Sequence, residues 1–225
     1  MDWEALRLSG RLALATMLVL LVLGTPIAYW LAFSPRRWKV LVEAVVALPL
    51  VLPPTVLGFY MLLAMGPHSP FGRVYQAVAG SRLPFSFQGL VVASVCYSLP
   101  FAVQPMVVGF SGVDRRTIEA AWVLGGRKLR TFYRVIAPLS LPAIGTAAIL
   151  AFAHTLGEFG VVLMVGGNIP GRTRTVSISI YDQVQSLNYA AAGRTALLLL
   201  GVSFVVLVGT YALGRQVRVG WPARS

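Results

Sequence analysis

The chain has 225 residues, 57% of them hydrophobic and 12% charged, with a net charge of +12. Soluble globular domains carry about 25% charged residues, so the composition argues against a water-soluble fold and for one that turns apolar surface toward lipid. The basic excess leaves two classes, a nucleic-acid binder or a membrane protein with Lys and Arg gathered in its loops; the single Cys96 excludes an intrachain disulfide.

A spanning helix needs about 20 mostly apolar residues. In chain order, the apolar runs 12–33, 40–65, 87–110, 139–165 and 190–213 predict about five spans, hence an all-α integral membrane protein with one transmembrane domain over 1–225. The first run is too long for a signal-peptide core, and its leader, Met1-Asp2-Trp3-Glu4, is acidic. The second holds Pro49, Pro53 and Pro54, which deprive the carbonyls of Val45, Pro49 and Leu50 of their helical donors. Such a break is tolerated only against protein or a water-filled cavity, so Pro53, Pro54 and Thr55 are either a packed kink or a hinge lining a path. The stretch 175–189 mixes Ser, Asp and Gln with Val, Ile and Tyr and is too polar to span; it reads as a short surface or re-entrant piece.

Orientation follows from loop charge. Arg36, Arg37, Lys39, Arg115, Arg116, Arg127, Lys128, Arg130, Arg134, Arg215, Arg218 and Arg224 share one side of a five-span arrangement, and only seven basic residues lie on the other. The richer side is expected in the cytoplasm, which puts the N-terminus outside and the C-terminus inside. The same distribution accounts for the net charge without nucleic acid.

The inside loop 111–138 predicts two short helices. Asp114 can cap the first, with Glu119 near its positive end. Ala120 to Leu124 provide a close-packing apolar face, and Gly125-Gly126 end it. A second helix over Lys128 to Val135 is expected to stop at Pro138. Such a loop can lie on lipid headgroups or act as a docking knob for a soluble partner. The spacing Glu119-Ala120-Ala121, Gly125 and Val135-Ile136-Ala137-Pro138 resembles the E-A-A loop of binding-protein-dependent ABC importer permeases, with Val135 and Ala137 in place of Ile and Leu. The resemblance implies a coupling helix, with Glu119, Ala120, Ala121, Gly125 and Pro138 seated in a cleft of an ATPase subunit. It also implies the type I importer permease fold and the inner membrane.

His154, Thr155 and Glu158 fall inside the fourth predicted span, His154 and Glu158 on one helical face. An ionisable group within a span is a functional candidate, yet a carboxylate repels an oxyanion in a weakly solvated path. Glu158 is therefore read as a gating or structural group, with Thr155 beside it and Arg194 as its expected partner. The segments Leu156-Gly157-Glu158-Phe159-Gly160 and Asn168-Ile169-Pro170-Gly171-Arg172-Thr173-Arg174-Thr175, with the stretch Leu48 to Phe59, resemble molybdate permeases; sulfate permeases share the G-E-F-G part. Asn168, Arg172 and Arg174 form an external turn whose cations are either simply solvated or meet an anion or a binding protein.

The chain has no G-x-x-x-x-G-K-[ST] pattern and no paired His or Cys, so neither a resident cofactor nor a metal is expected, and ATP with Mg is assigned to a partner. The implied partners are a second copy of the chain, two ATP-binding subunits, and a periplasmic or lipid-anchored oxyanion-binding protein. The expected cargo is molybdate or its isostere tungstate, with sulfate or thiosulfate as the alternative. A different class, a membrane-embedded lipid-modifying enzyme, would draw on Ser177, Ser179 and Asp182, which have no His close in sequence.

Overall fold

The computed structural model describes residues 2–219, with side chains through residue 209; Arg215, Arg218 and Arg224 therefore lie outside the described side chains. In chain order the helices are α1 (Trp3–Phe33), α2 (Lys39–Val51), α3 (Pro54–Met65), α4 (Pro70–Ala79), α5 (Phe87–Ser111), α6 (Arg115–Val123) and α7 (Lys128–Thr131). A π-helical turn (Phe132–Ile136) follows, then α8 (Ala137–Leu139), α9 (Leu141–Leu156), α10 (Gly160–Gly166), α11 (Val176–Gln185) and α12 (Tyr189–Val219). Three of these, α1, α5 and α12, are long and apolar enough to cross a membrane alone. Two bent pairs also pass, giving five spans if each pair counts as one.

The first span is longer than its apolar run because Asp2 caps α1, its carboxylate accepting the Ala5 N–H at 2.9 Å. The expected second span is two helices meeting at 115°. The break falls at Leu52-Pro53, with both residues extended (ψ 136° at each). Each of them precedes a proline, which disfavours helical ψ. Pro54 then opens α3, where its missing N–H costs nothing. Pro49 stays inside α2.

The fourth span is also discontinuous, a correction to the single run 139–165. Lys128–Leu139 and Leu141–Leu156 meet at 75°, and α9 ends before Gly157, Glu158 and Phe159, after which α10 begins. The helix from Lys128 does not stop at Pro138. A wider turn, with the Ala137 N–H donating to the Phe132 carbonyl, shifts the register ahead of the proline. The loop 66–86 contains a further helix, α4, capped by Ser69 and closed by left-handed Gly80.

The core lies where α1, α5 and α9 cross. Leu20, Ala28, Ala102, Val103, Met106, Ala147 and Ala151 are fully buried there. Small residues at these crossings let backbones approach closely, which matters because lipid supplies no hydrophobic drive between helices. By contrast α12 exposes Leu197, Leu200, Phe204 and Val205, as a helix facing lipid or a second chain would.

Candidate functional site

The two broken spans meet. Pro54 and Thr55 at the start of α3 face the break between α9 and α10, and together with Tyr97, His154, Gly157 and Glu158 they line a cavity of about 580 Å³. The approach is set by Gly160: a Cβ there would sit 2.7 Å from the Pro54 Cβ, closer than real side chains come. Each break frees backbone polar groups, and a shared cavity is where such groups can be tolerated in a membrane.

Of the residues expected here, Pro54, Thr55 and Glu158 line the cavity, Pro53 forms the bend above it, and Thr155 lies buried behind it. Thr155 and His154 are both tied to Ser98 on α5. The Ser98 Oγ lies 2.9 Å from the His154 Nδ1 and 2.9 Å from the Thr155 Oγ1. The His154 ring stacks on Phe101 at 3.9 Å and tilts against Tyr97 at 4.9 Å. Ser98 is fully buried, and its hydroxyl engages both neighbours. It fixes the end of α9 to α5.

Glu158 is 4% exposed, and neither carboxylate oxygen has a hydrogen-bond partner among the described residues. Ser94 on α5 faces it without closing a hydrogen bond in this conformation. The expected pairing with Arg194 is absent: Arg194 is exposed and its Nε donates to the carbonyl of Ala190 at 3.2 Å. The break after Leu156 turns Glu158 inward toward α5, while α12 packs on α9 and α11. A buried carboxyl without a partner is costly, and such a group persists where a second conformation or a ligand uses it.

The turn after α10 is built on Thr173, which is fully buried. Its hydroxyl donates to the Gly166 carbonyl at 2.6 Å and accepts the Ile169 N–H at 3.0 Å. Asn168, at φ 57°, donates from Nδ2 to both Asp182 oxygens at 2.8 and 3.0 Å, and its Oδ1 accepts from the Arg174 Nε at 2.8 Å. Arg174 also meets Asp182 at 3.5 Å. Arg174 thus serves an internal clasp between the turn and α11, whereas Arg172 is exposed. Asp182 is committed to this clasp, and Ser179 donates to Asp2 at 3.1 Å.

In the long loop, Asp114 caps α6 by accepting the Arg116 N–H at 2.9 Å. Gly125 ends it at φ 81°, a left-handed conformation that favours glycine. Ile118 is buried toward the core, while Trp122, Val123 and Leu124 project outward, the last two 87% exposed. Glu119 pairs with Arg115 at 3.0 Å on the solvent side; Ala120 and Pro138 are exposed and Ala121 is half-buried. An apolar helix end this bare on a polar loop marks a contact surface.

Sequence reading missed Ser94, Ser98 and Tyr97, and it gave Thr173 and Asp182 no part in a clasp. For the first two a signal was present: serines four apart in an otherwise apolar span mark one polar stripe.

Broken spans meeting at a cavity, with a bare apolar helix displayed on the connecting loop, define the membrane component of a transporter. The chain matches the family described as "Binding-protein-dependent transport system inner membrane component" over residues 24–219, and it belongs to that family. It is 53% identical over 219 residues to the Molybdenum transport system permease protein ModB of Azotobacter vinelandii, covering 97% of this chain and 96% of that protein. The protein of the same name in Escherichia coli (strain K12) is 33% identical over 218 residues, covering 96% of this chain and 95% of that one. Among solved structures, an inward-facing form of the MetNI methionine ABC transporter superposes with a TM-score of 0.73 at 16% identity, covering 97% of this chain and 95% of that chain. The fold is therefore that of the ABC importer permeases, as the E-A-A spacing implied.

Proposed function

We propose that this chain is the membrane-spanning permease subunit of an ATP-driven importer that carries molybdate, or the isosteric tungstate, into the cytoplasm. The observation that carries the cargo is the near full-length similarity to a permease named for molybdenum transport, at 53% identity. In this reading two copies pair in the membrane, with the N-terminus outside and the C-terminus inside. Two ATP-binding subunits dock on α6, and a binding protein delivers the oxyanion to the opposite face near Arg172. ATP and Mg are held by those partners.

The geometry supports a mechanical route. α6 leads through α7, the π-turn and α8 into α9, and α9 ends at Leu156, two residues before Glu158 on the cavity. The bend at Ser140 is pinned to α5 by its hydroxyl, which donates to the Gly109 carbonyl at 3.2 Å. The far end of α9 is pinned to the same helix through Ser98. A push on α6 therefore reaches the cavity through an arm with two fixed points rather than dissipating in a loop.

The cavity suits passage more than storage. Thr55 and Tyr97 offer hydroxyls, and among the described residues no Arg or Lys lines it. A fixed cation there would hold a dianion too tightly, and conduction needs binding weak enough to leave. Glu158 acts as a gate that disfavours an anion until the break rearranges. The deciding experiment is uptake of molybdate against sulfate by the complex reconstituted with its ATPase and binding protein. Preferential molybdate or tungstate uptake is expected, and preferential sulfate uptake overturns the cargo assignment.

A further inference from the structure

A second cavity lies far from Glu158, between α1 and the arm that joins α6 to α9. It is a groove of about 730 Å³, walled by Val22, Pro26 and Tyr29 on one side and by Lys128, Phe132 and Tyr133 on the other. That volume falls within the ~300–1,000 Å³ of ordinary ligand sites. Its floor is preset. Pro26 interrupts the hydrogen-bond ladder of α1, the π-turn displaces Phe132, and the Phe132 ring meets Tyr29 at 5.5 Å and Phe110 at 5.8 Å, both edge-on.

Three features say what covers it. The rim continues the outward face of α1, where Val22 is 72% exposed in an apolar span, so the groove opens to the membrane. Aromatic residues that favour the membrane–water interface cluster at its end: Tyr29 and Tyr133 on the walls, and Trp30 packed on Trp38 at 4.8 Å nearby. The one charged side chain lining the groove among the described residues is a cation. Lys128 stands at the groove with Arg127 and Arg130 beside it, and no Asp or Glu occurs between Glu119 and Glu158. Among the described residues Lys128 forms no ion pair. An apolar trough at interfacial depth with a free ammonium at its mouth is complementary to a phospholipid: phosphate at the cation, acyl chain along the rings.

We propose that this groove holds an anionic phospholipid of the cytoplasmic leaflet, its phosphate at Lys128 and one acyl chain between α1 and the arm. The leaflet rests on the importer reading, which places α6 inside. A lipid so seated braces the arm that carries motion from α6 to α9, and makes transport sensitive to anionic lipid.

The test uses the complete transporter purified with its ATPase subunit and examined by native mass spectrometry against phosphatidylglycerol and phosphatidylcholine. The wild type should retain phosphatidylglycerol in preference to phosphatidylcholine. Lys128→Glu should weaken that retention on the order of tenfold, and Val22→Trp, which fills the trough without touching the charge, should displace the lipid as well. A photo-crosslinker at Val22 should label lipid. Retention of phosphatidylglycerol by both variants, or a Val22 crosslink to the second permease copy, overturns the proposal. Failure of any ATPase subunit to co-purify with the wild type would overturn the importer reading instead, independently of the lipid result.

Discussion

Gly160 and Pro54 touch back to back: a methyl group on Gly160 would come within 2.7 Å of the Pro54 ring. This contact joins the break in the second span to the break in the fourth and closes the wall of the cavity that holds Glu158. Gly160→Val must push α10 away from α3, and overpacking of this kind costs about 1–3 kcal/mol. The expected outcome is a transporter with a lowered thermal midpoint and reduced uptake. A variant with wild-type midpoint and uptake would show that the two breaks move independently.

Glu158 is expected to govern passage rather than folding. Its carboxylate oxygens have no partner to lose among the described residues, so Glu158→Gln should assemble normally with the ATPase. Uptake should change while the amount of assembled complex does not. Equal uptake by Glu158→Gln and Glu158→Ala, both at the wild-type rate, would remove the residue from the gate.

The α6 surface predicts uncoupling. The Glu119–Arg115 pair is solvated and adds little to folding, so Glu119→Lys tests docking cleanly. Gly125 sits at φ 81°, and Gly125→Pro cannot adopt that angle. Both variants should lose substrate-stimulated ATP hydrolysis in the reconstituted complex. Unchanged stimulation in both would discard the docking assignment.

The clasp predicts a division between two neighbouring arginines. Asp182→Ala removes two hydrogen bonds to Asn168 and the contact with Arg174. The partners are partly solvated, so the loss should be roughly 1–2 kcal/mol, read as a lower thermal midpoint and faster proteolysis at the turn. Arg172→Ala should leave both unchanged and instead weaken capture of the binding protein. The reverse pattern would exchange the two roles.

Much of the architecture was legible because lipid imposes a simple rule. A run of apolar residues of sufficient length must be a helix, and α1, α5 and α12 follow from that rule alone. The break at Leu52-Pro53 was legible too, since two prolines in sequence force extended backbone in the residues before them. The break after Leu156 was not. Gly157, Glu158 and Phe159 contain no proline, and just beyond the break Gly160 packs on Pro54, a contact 106 residues away in sequence. The amphipathic α4 and the π-turn escaped for a similar reason: one lay in a loop rich in Gly and Pro, the other is a one-residue register shift with no compositional mark.

Sequence by itself determined that this is a helical membrane protein, and it showed that loop 111–138 resembles the E-A-A loop of importer permeases and the 157–175 region molybdate permeases. The first rests on hydropathy and charge and the others on motif resemblance, all of them properties of neighbouring residues. Tertiary structure alone decided that Glu158 turns toward α5 instead of pairing with Arg194, that Arg174 is bound in a clasp while Arg172 is exposed, and that Lys128 stands at a groove between α1 and the arm. Each of these depends on which of several distant charges comes within about 4 Å, where Coulomb energy and hydrogen bonding become decisive, and only the packed helices set those distances.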